Sequence, residues 1–211
     1  MKLTEIFYSL QGESTFAGLP CIFIRTAGCN LRCKYCDTTY SYKEGYFLTV
    51  QQILQEVQNY NPIKLVEVTG GEPLLQADVY ELFDVLHDIN YKILLETNGS
   101  LLLNKVPEFV TKIVDVKTPS SGFETSFLIE NLDFIQNNDQ VKFVVSNRYD
   151  YDWAKDFIAE NQLQNQTVLF SPVLDSLKPQ QLAEWIIEDK LPIRMQLQLH
   201  KYIWDKDKRG V

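Results

Sequence analysis

The 211-residue chain has few of the residues that close metal sites: two histidines, His87 and His200, and four cysteines. A structural zinc site draws four ligands from paired Cys or His motifs, and no second pair is present to complete one. A disulfide framework is not needed either, because a chain of this length with 45% hydrophobic residues can bury a core without covalent staples. No apolar run reaches the length of a membrane span. The opening Met1-Lys2-Leu3-Thr4-Glu5 lacks the apolar segment of a secretory signal and the basic pattern of a transit peptide, so a cytoplasmic protein is expected. Positive charge is also scarce. A net charge of -8 argues against sequence-independent binding to nucleic acid, which depends on Lys and Arg neutralising phosphates. There is no repeat, low-complexity run or Gly/Ser-rich or Pro-rich linker, so residues 1–211 are expected to form a single domain.

What cysteine there is lies concentrated. Cys29, Cys33 and Cys36 stand in Gly28-Cys29-Asn30-Leu31-Arg32-Cys33-Lys34-Tyr35-Cys36-Asp37, a C-x3-C-x2-C spacing within a loop covering 28–38. Three thiolates leave a fourth coordination position unfilled. A structural metal wants its shell closed, whereas one that must hold a substrate or cofactor keeps a place open. On a [4Fe-4S] cluster, three cysteines leave one iron bare, free to be chelated by the amino and carboxylate groups of S-adenosylmethionine. Zinc is the alternative occupant. Cys21 reads as a small buried hydrophobe in the strand 21–26.

Short β-branched or aliphatic runs alternate with longer segments of helical period. Strands are predicted over 3–9, 21–26, 64–69, 92–97, 112–117, 141–145, 167–170 and 193–199. Helices are predicted over 49–60, opened by a Thr49/Gln52 capping box, and over 78–90, 125–136, 151–160 and 179–188. Regular βα alternation predicts an α/β fold whose parallel sheet curls into a partial barrel with trimmed helices, the chain being short for eight full units. Parallel strands covered on both faces are normally continuous apolar runs, yet Glu67, Glu96, Asp115, Lys117, Lys142, Gln196 and Gln198 interrupt these. Such groups must pair across a lumen or face a ligand. Thr69-Gly70-Gly71-Glu72-Pro73, Glu96-Thr97-Asn98-Gly99 and Lys117-Thr118-Pro119-Ser120-Ser121 each follow a strand, where the catalytic loops of βα barrels gather.

The cysteine motif, with aromatic Tyr35 before its last Cys, resembles that of the radical S-adenosylmethionine superfamily, and the Gly-Gly-Glu motif resembles the one that holds the methionine amino group there. Further segments are similar to the 7-carboxy-7-deazaguanine synthase family. They are Tyr8-Ser9-Leu10-Gln11-Gly12-Glu13-Ser14, Phe23-Ile24-Arg25-Thr26-Ala27-Gly28-Cys29, Cys36-Asp37-Thr38, Val116-Lys117-Thr118-Pro119-Ser120-Ser121 and the tail from His200-Lys201 to Arg209-Gly210-Val211. The stretch 125–195 carries no motif of the family.

The resemblance implies a radical lyase that converts 6-carboxy-5,6,7,8-tetrahydropterin to 7-carboxy-7-deazaguanine with loss of ammonia, on the route to queuosine and related deazapurines. It implies a [4Fe-4S] cluster on Cys29, Cys33 and Cys36, S-adenosylmethionine that is regenerated, and a magnesium ion on Thr38. It places substrate against Leu10, Gln11, Gly12, Glu13, Arg25, Thr69 and Val211, and S-adenosylmethionine against Gly71, Glu72, Glu96, Lys117, Pro119, Ser120 and Ser121. An electron donor such as flavodoxin or ferredoxin and a homodimer are further implications. Ser14 stands where many family members have glycine. The rival readings are a radical activating enzyme that makes a glycyl radical on a protein partner, for which the Gln-Gly-Glu segment is foreign, and a non-catalytic metal-binding module.

Overall fold

The computed structural model describes residues 1–205 and 208–211. Strand β1 (Lys2–Leu10) runs antiparallel to β2 (Pro20–Thr26) and to the short β3 (Tyr46–Phe47). From β2 onward the sheet is parallel through β4 (Leu65–Gly70), β5 (Lys92–Thr97), β6 (Val110–Asp115), β7 (Gln140–Val145), β8 (Thr167–Pro172) and β9 (Arg194–Met195). The order β3-β1-β2-β4-β5-β6-β7-β8-β9 leaves the sheet open, yet residues of β1, β2 and β4 to β7 line one cavity, so it wraps as part of a barrel.

Strand alternation sets the two faces. On β2, Ile22 and Ile24 are fully buried in the core beneath α1 (Val50–Gln58) and α2 (Asp78–Asp88), while Cys21, Phe23 and Arg25 face the inside of the curve. A second apolar cluster joins β7 and β8 to α3 (Arg148–Glu160) and α4 (Pro179–Glu188) through Phe143, Phe170, Tyr151, Ala154 and Leu182. The Thr49/Gln52 capping box forms at the start of α1, and Pro179 occupies the first turn of α4. Cys21 is buried, as its setting in β2 predicts.

Two elements depart from the sequence pattern. The stretch 125–136 is not an α-helix; it holds only the 3-10 segment Ile129–Phe134. Asn131, fully buried there, gives its amide to the carbonyls of Gly99 and Leu101 and accepts from the Leu103 N–H, satisfying another loop in place of its own turn. Asp139 then pins the crossover by pairing with buried Lys112 at 2.7 Å and accepting from the Gln136 N–H at 2.8 Å. The strand predicted over 193–199 is reduced to Arg194–Met195. Beyond it, the chain turns its glutamines inward and ends in the short helix α5 (His200–Ile203).

Candidate active site

A cavity of about 870 Å³ opens at the C-terminal ends of the parallel strands. Its centre is Lys142 of β7, whose side chain is 3% exposed. The ammonium meets Glu13 at 3.0 Å, Asp115 at 3.4 Å and Glu96 more closely still. Lys117 adds a second cation on Asp115 at 2.9 Å. Burial opposes the charge on Lys142, but the three carboxylates around it raise its pKa well above the ordinary lysine value. Burial would likewise lift Glu96; Lys142 and the Thr69 hydroxyl, donating at 2.8 Å, hold it down at about 2. The polar residues that interrupt the strands therefore pair across a lumen.

Over this network lies the loop that follows β1. Gln11 Oε1 accepts from the Glu13 N–H at 2.9 Å, and Gln11 Nε2 donates to Glu67 of β4. Gln196 and Gln198 hold the loop from the far side: Gln196 Oε1 accepts from the Ser14 N–H at 2.7 Å, and Gln198 Nε2 donates to Glu13 at 3.0 Å. A Cβ on Gly12 would collide with His200 Nδ1, so glycine is required for α5 to close on this loop. Ser14 has φ 64, in the left-handed region that favours glycine.

The cluster loop leaves β2 directly after Thr26. Gly28 N donates to Ser41 O at 2.7 Å and Lys34 N to Ser121 O at 3.1 Å, anchoring both halves. A Cβ on Gly71 would overlap the Gly28 carbonyl, so the Gly70-Gly71 turn packs against this loop as only glycine can. Cys29, Cys33 and Cys36 are free, half-buried thiols on the cavity wall. Burial pushes the Cys29 and Cys33 thiols up, so metal loading must displace their protons. Among the described residues, no three His, Cys, Asp or Glu side chains converge on one point that would suit a single metal ion. Three sulfurs spread over a loop, with no nitrogen or carboxylate to complete a shell, suit a multi-iron cluster with one open corner.

Leu10, Gln11, Gly12, Glu13, Arg25, Thr38, Thr69, Gly71, Glu96, Lys117 and Val211 all line the cavity with the three cysteines. Arg25 donates through Nε to Glu5 at 2.8 Å, leaving its Nη groups as the part of the fork that can meet an acid. Glu72 does not reach the cavity. It is fully buried and accepts from the Asn98 N–H at 2.8 Å, the Leu74 N–H at 3.1 Å and the Thr97 hydroxyl at 2.9 Å, so it staples the Gly-Gly turn to the neighbouring strand end. Pro119, Ser120 and Ser121 form a 3-10 turn beside the cavity; Ser121 supports the cluster loop and Ser120 N donates to Asp150 at 2.9 Å. Asp37 and Lys201, which lie in family-like segments but were given no role of their own, join the cluster loop to α5 at 2.6 Å. Glu67 and Lys142 were visible in the sequence only as breaks in apolar strands.

The profile of the Radical SAM superfamily matches residues 23–184. A 7-carboxy-7-deazaguanine synthase of Koribacter versatilis is 45% identical over the whole of both chains. One from Chlorobaculum tepidum is 46% identical over all of this chain and 97% of its own. The crystal structure of QueE from Escherichia coli superposes with a TM-score of 0.79 over 94% of each chain; at 24% identity it speaks for the fold. With end-to-end identity at this level, and the three-thiol loop and Gln-Gly-Glu loop facing one cavity, the chain belongs to the 7-carboxy-7-deazaguanine synthase family of the radical SAM superfamily.

Proposed function

We propose that the protein converts 6-carboxy-5,6,7,8-tetrahydropterin to 7-carboxy-7-deazaguanine with release of ammonia, as a radical lyase of queuosine and 7-deazapurine biosynthesis. The observation that carries this reading is one cavity of small-molecule size that contains three thiols, the Arg25 fork and a lumen of hydrogen-bonding groups. Such a pocket suits a small acid better than the protein partner of a glycyl-radical activating enzyme. Cys29, Cys33 and Cys36 would hold a [4Fe-4S] cluster, and Gly71, Glu96 and Lys117 would face S-adenosylmethionine. When bound, these groups supply a 5′-deoxyadenosyl radical for hydrogen abstraction at C6 of the pterin. The chain's own work is orientation: Phe7 and Phe23, stacked on each other at 4.9 Å, make one side of the cavity apolar, and Arg25 stands above Phe7 to receive the carboxylate. Anaerobic incubation of the reconstituted protein with pterin, S-adenosylmethionine and reductant should release ammonia and the deazaguanine acid; absence of both products in protein with full cluster content would reject the assignment.

Arg25→Lys tests the carboxylate contact. Lysine keeps the charge but not the planar fork, so pterin affinity should fall about 10- to 100-fold, the worth of one charge-assisted hydrogen bond, with cluster content unchanged. Equal affinity in equilibrium titration would remove Arg25 from the substrate site.

A magnesium ion is proposed to bind at Thr38, whose hydroxyl donates to Asp37 Oδ1 at 2.9 Å on the cavity wall, an all-oxygen pair of the kind magnesium prefers. Thr38→Val preserves shape and removes the ligand. Its turnover should drop and lose most of its dependence on added magnesium while S-adenosylmethionine binding persists. A full magnesium response in the valine variant would place the ion elsewhere. Exposed Arg32 and Lys34 on the cluster loop of an acidic chain suit an acidic one-electron donor of the flavodoxin or ferredoxin type. The homodimer is proposed with β3 as its edge, where Tyr46 and Phe47 are exposed; sedimentation showing monomer at all concentrations would reject it. Residues 1–211 are taken to work as one domain, and four free thiols suit a reducing cytoplasm. No helix among the described residues is long and apolar enough to cross a membrane.

A further inference from the structure

A pterin acid presents two ends: a carboxylate, and across its fused rings the 2-amino-4-oxo edge, where N3–H and the 2-amino group stand side by side as donors. The Gln-Gly-Glu motif nominates Glu13 for that edge, but Glu13 is already engaged, with one oxygen on Lys142 and Gln196 and the other on Gln198. Glu96 is shared between Lys142 and Thr69. Asp115 is held by both lysines through one oxygen, and its other oxygen is buried without a hydrogen-bond partner among the described residues.

Glu67 differs from all three. It lines the cavity, is 6% exposed, and its carboxylate has Gln11 Nε2 as its hydrogen-bond donor among the described residues, with no lysine or arginine in contact. Its place in the lumen also fits. Arg25 on β2 is in register with Thr69 on β4, and Glu67 lies two residues earlier on the same inward face, ~6.6 Å deeper. That step sets the two side chains at different depths of one lumen, as groups that hold opposite ends of one acid must be. An acid held at the rim by Arg25 points its far edge down the lumen toward Glu67, which pairs in register with Phe23 of the Phe7–Phe23 stack.

We propose that Glu67 reads the 2-amino-4-oxo edge of the pterin through its two carboxyl oxygens and so sets the enzyme's choice of heterocycle. The inference rests on the pterin reading of the site. Two adjacent donors opposite two adjacent oxygens is the geometry that makes bidentate carboxylate pairing strong. Burial, together with the neighbouring Glu96 and Glu13 carboxylates, pushes the empty Glu67 up to about 8, so it is a carboxyl short of donors until a ligand brings them. Glu67 also positions Gln11, whose amide cannot turn over without losing both Glu67 and the Glu13 N–H.

The test is a specificity exchange in the cluster-reconstituted protein with S-adenosylmethionine bound. The probes are 6-carboxypterin and 6-carboxylumazine, in which a 2-oxo group replaces the 2-amino group. Wild type should bind the pterin at least 10-fold more tightly than the lumazine. Glu67→Gln places an amide donor opposite the 2-position, so pterin affinity should fall about 10- to 100-fold and the lumazine should become the better ligand. Cluster content and S-adenosylmethionine affinity should stay at wild-type values, and inversion of preference is not a consequence that mere loosening of the loop can produce. Wild type without preference between the probes, or a glutamine variant that keeps the wild-type preference, overturns the role of Glu67 alone. Wild type that binds neither acid overturns the pterin reading itself, and this inference with it.

Discussion

Replacing Cys29, Cys33 or Cys36 singly by alanine should abolish the iron-sulfur cluster, whereas Cys21→Ala should retain about one four-iron cluster per chain after anaerobic reconstitution. The three cysteines share one loop and one cavity wall, and no fourth thiol, imidazole or carboxylate among the described residues converges with them to substitute for a lost ligand. Cys21 lies fully buried on β2, in the apolar cluster with Phe7 and Phe23, and its thiol is pushed far up by burial. Iron and acid-labile sulfide analysis, with the electron paramagnetic resonance spectrum of the reduced protein, reads the outcome directly. Cluster retained in all three loop variants and lost in the Cys21 variant would overturn the ligand set.

Lys142→Met should lower stability at neutral pH by about 3–5 kcal/mol, the usual cost of removing one partner from a buried ionic network. Methionine fills much of the space but leaves Glu13, Glu96 and Asp115 without the cation they share. The pH dependence distinguishes this from a packing defect. In the native protein Glu96, held at about 2 against an ordinary 4.5, stabilises the fold above 4.5, and that contribution is lost as pH falls through 2. Without Lys142 the same carboxyl is buried uncompensated and its pKa rises. Its penalty is then present at neutral pH and relieved as pH falls. The stability gap between variant and wild type should thus be widest near about pH 7.5 and narrow toward about pH 5.5 in urea titrations. A gap of constant size would mean that lost packing, not lost charge, accounts for the effect. Pterin binding should fail in the variant as well, because Lys142 holds Glu13 and Glu96 in place on two sides of the cavity.

The chemistry of the cluster loop was legible in the sequence because its ligands are neighbours. Cys29, Cys33 and Cys36 need only seven intervals of chain to meet, and the same holds for the Thr49/Gln52 cap and the Gly70-Gly71 turn, so spacing alone specifies them. The parallel sheet was legible too, since alternating faces and βα order are local patterns repeated along the chain. The helical period over 125–136 misled, because Asn131 and Asp139 were committed to distant backbone groups that a local pattern does not register. The same reason separates Glu72 from Glu67. Both are single acidic residues beside the same motif, but the fold turns one inward onto Asn98 and the other into the lumen. Which carboxylate Lys142 neutralises was likewise settled only in three dimensions, where Glu13 arrives from 129 positions away. Local spacing determines what a loop can ligate. Partners across a lumen depend on strand register and on a shared low dielectric, in which one buried cation must serve several acids, and those exist only once the sheet has curled around them.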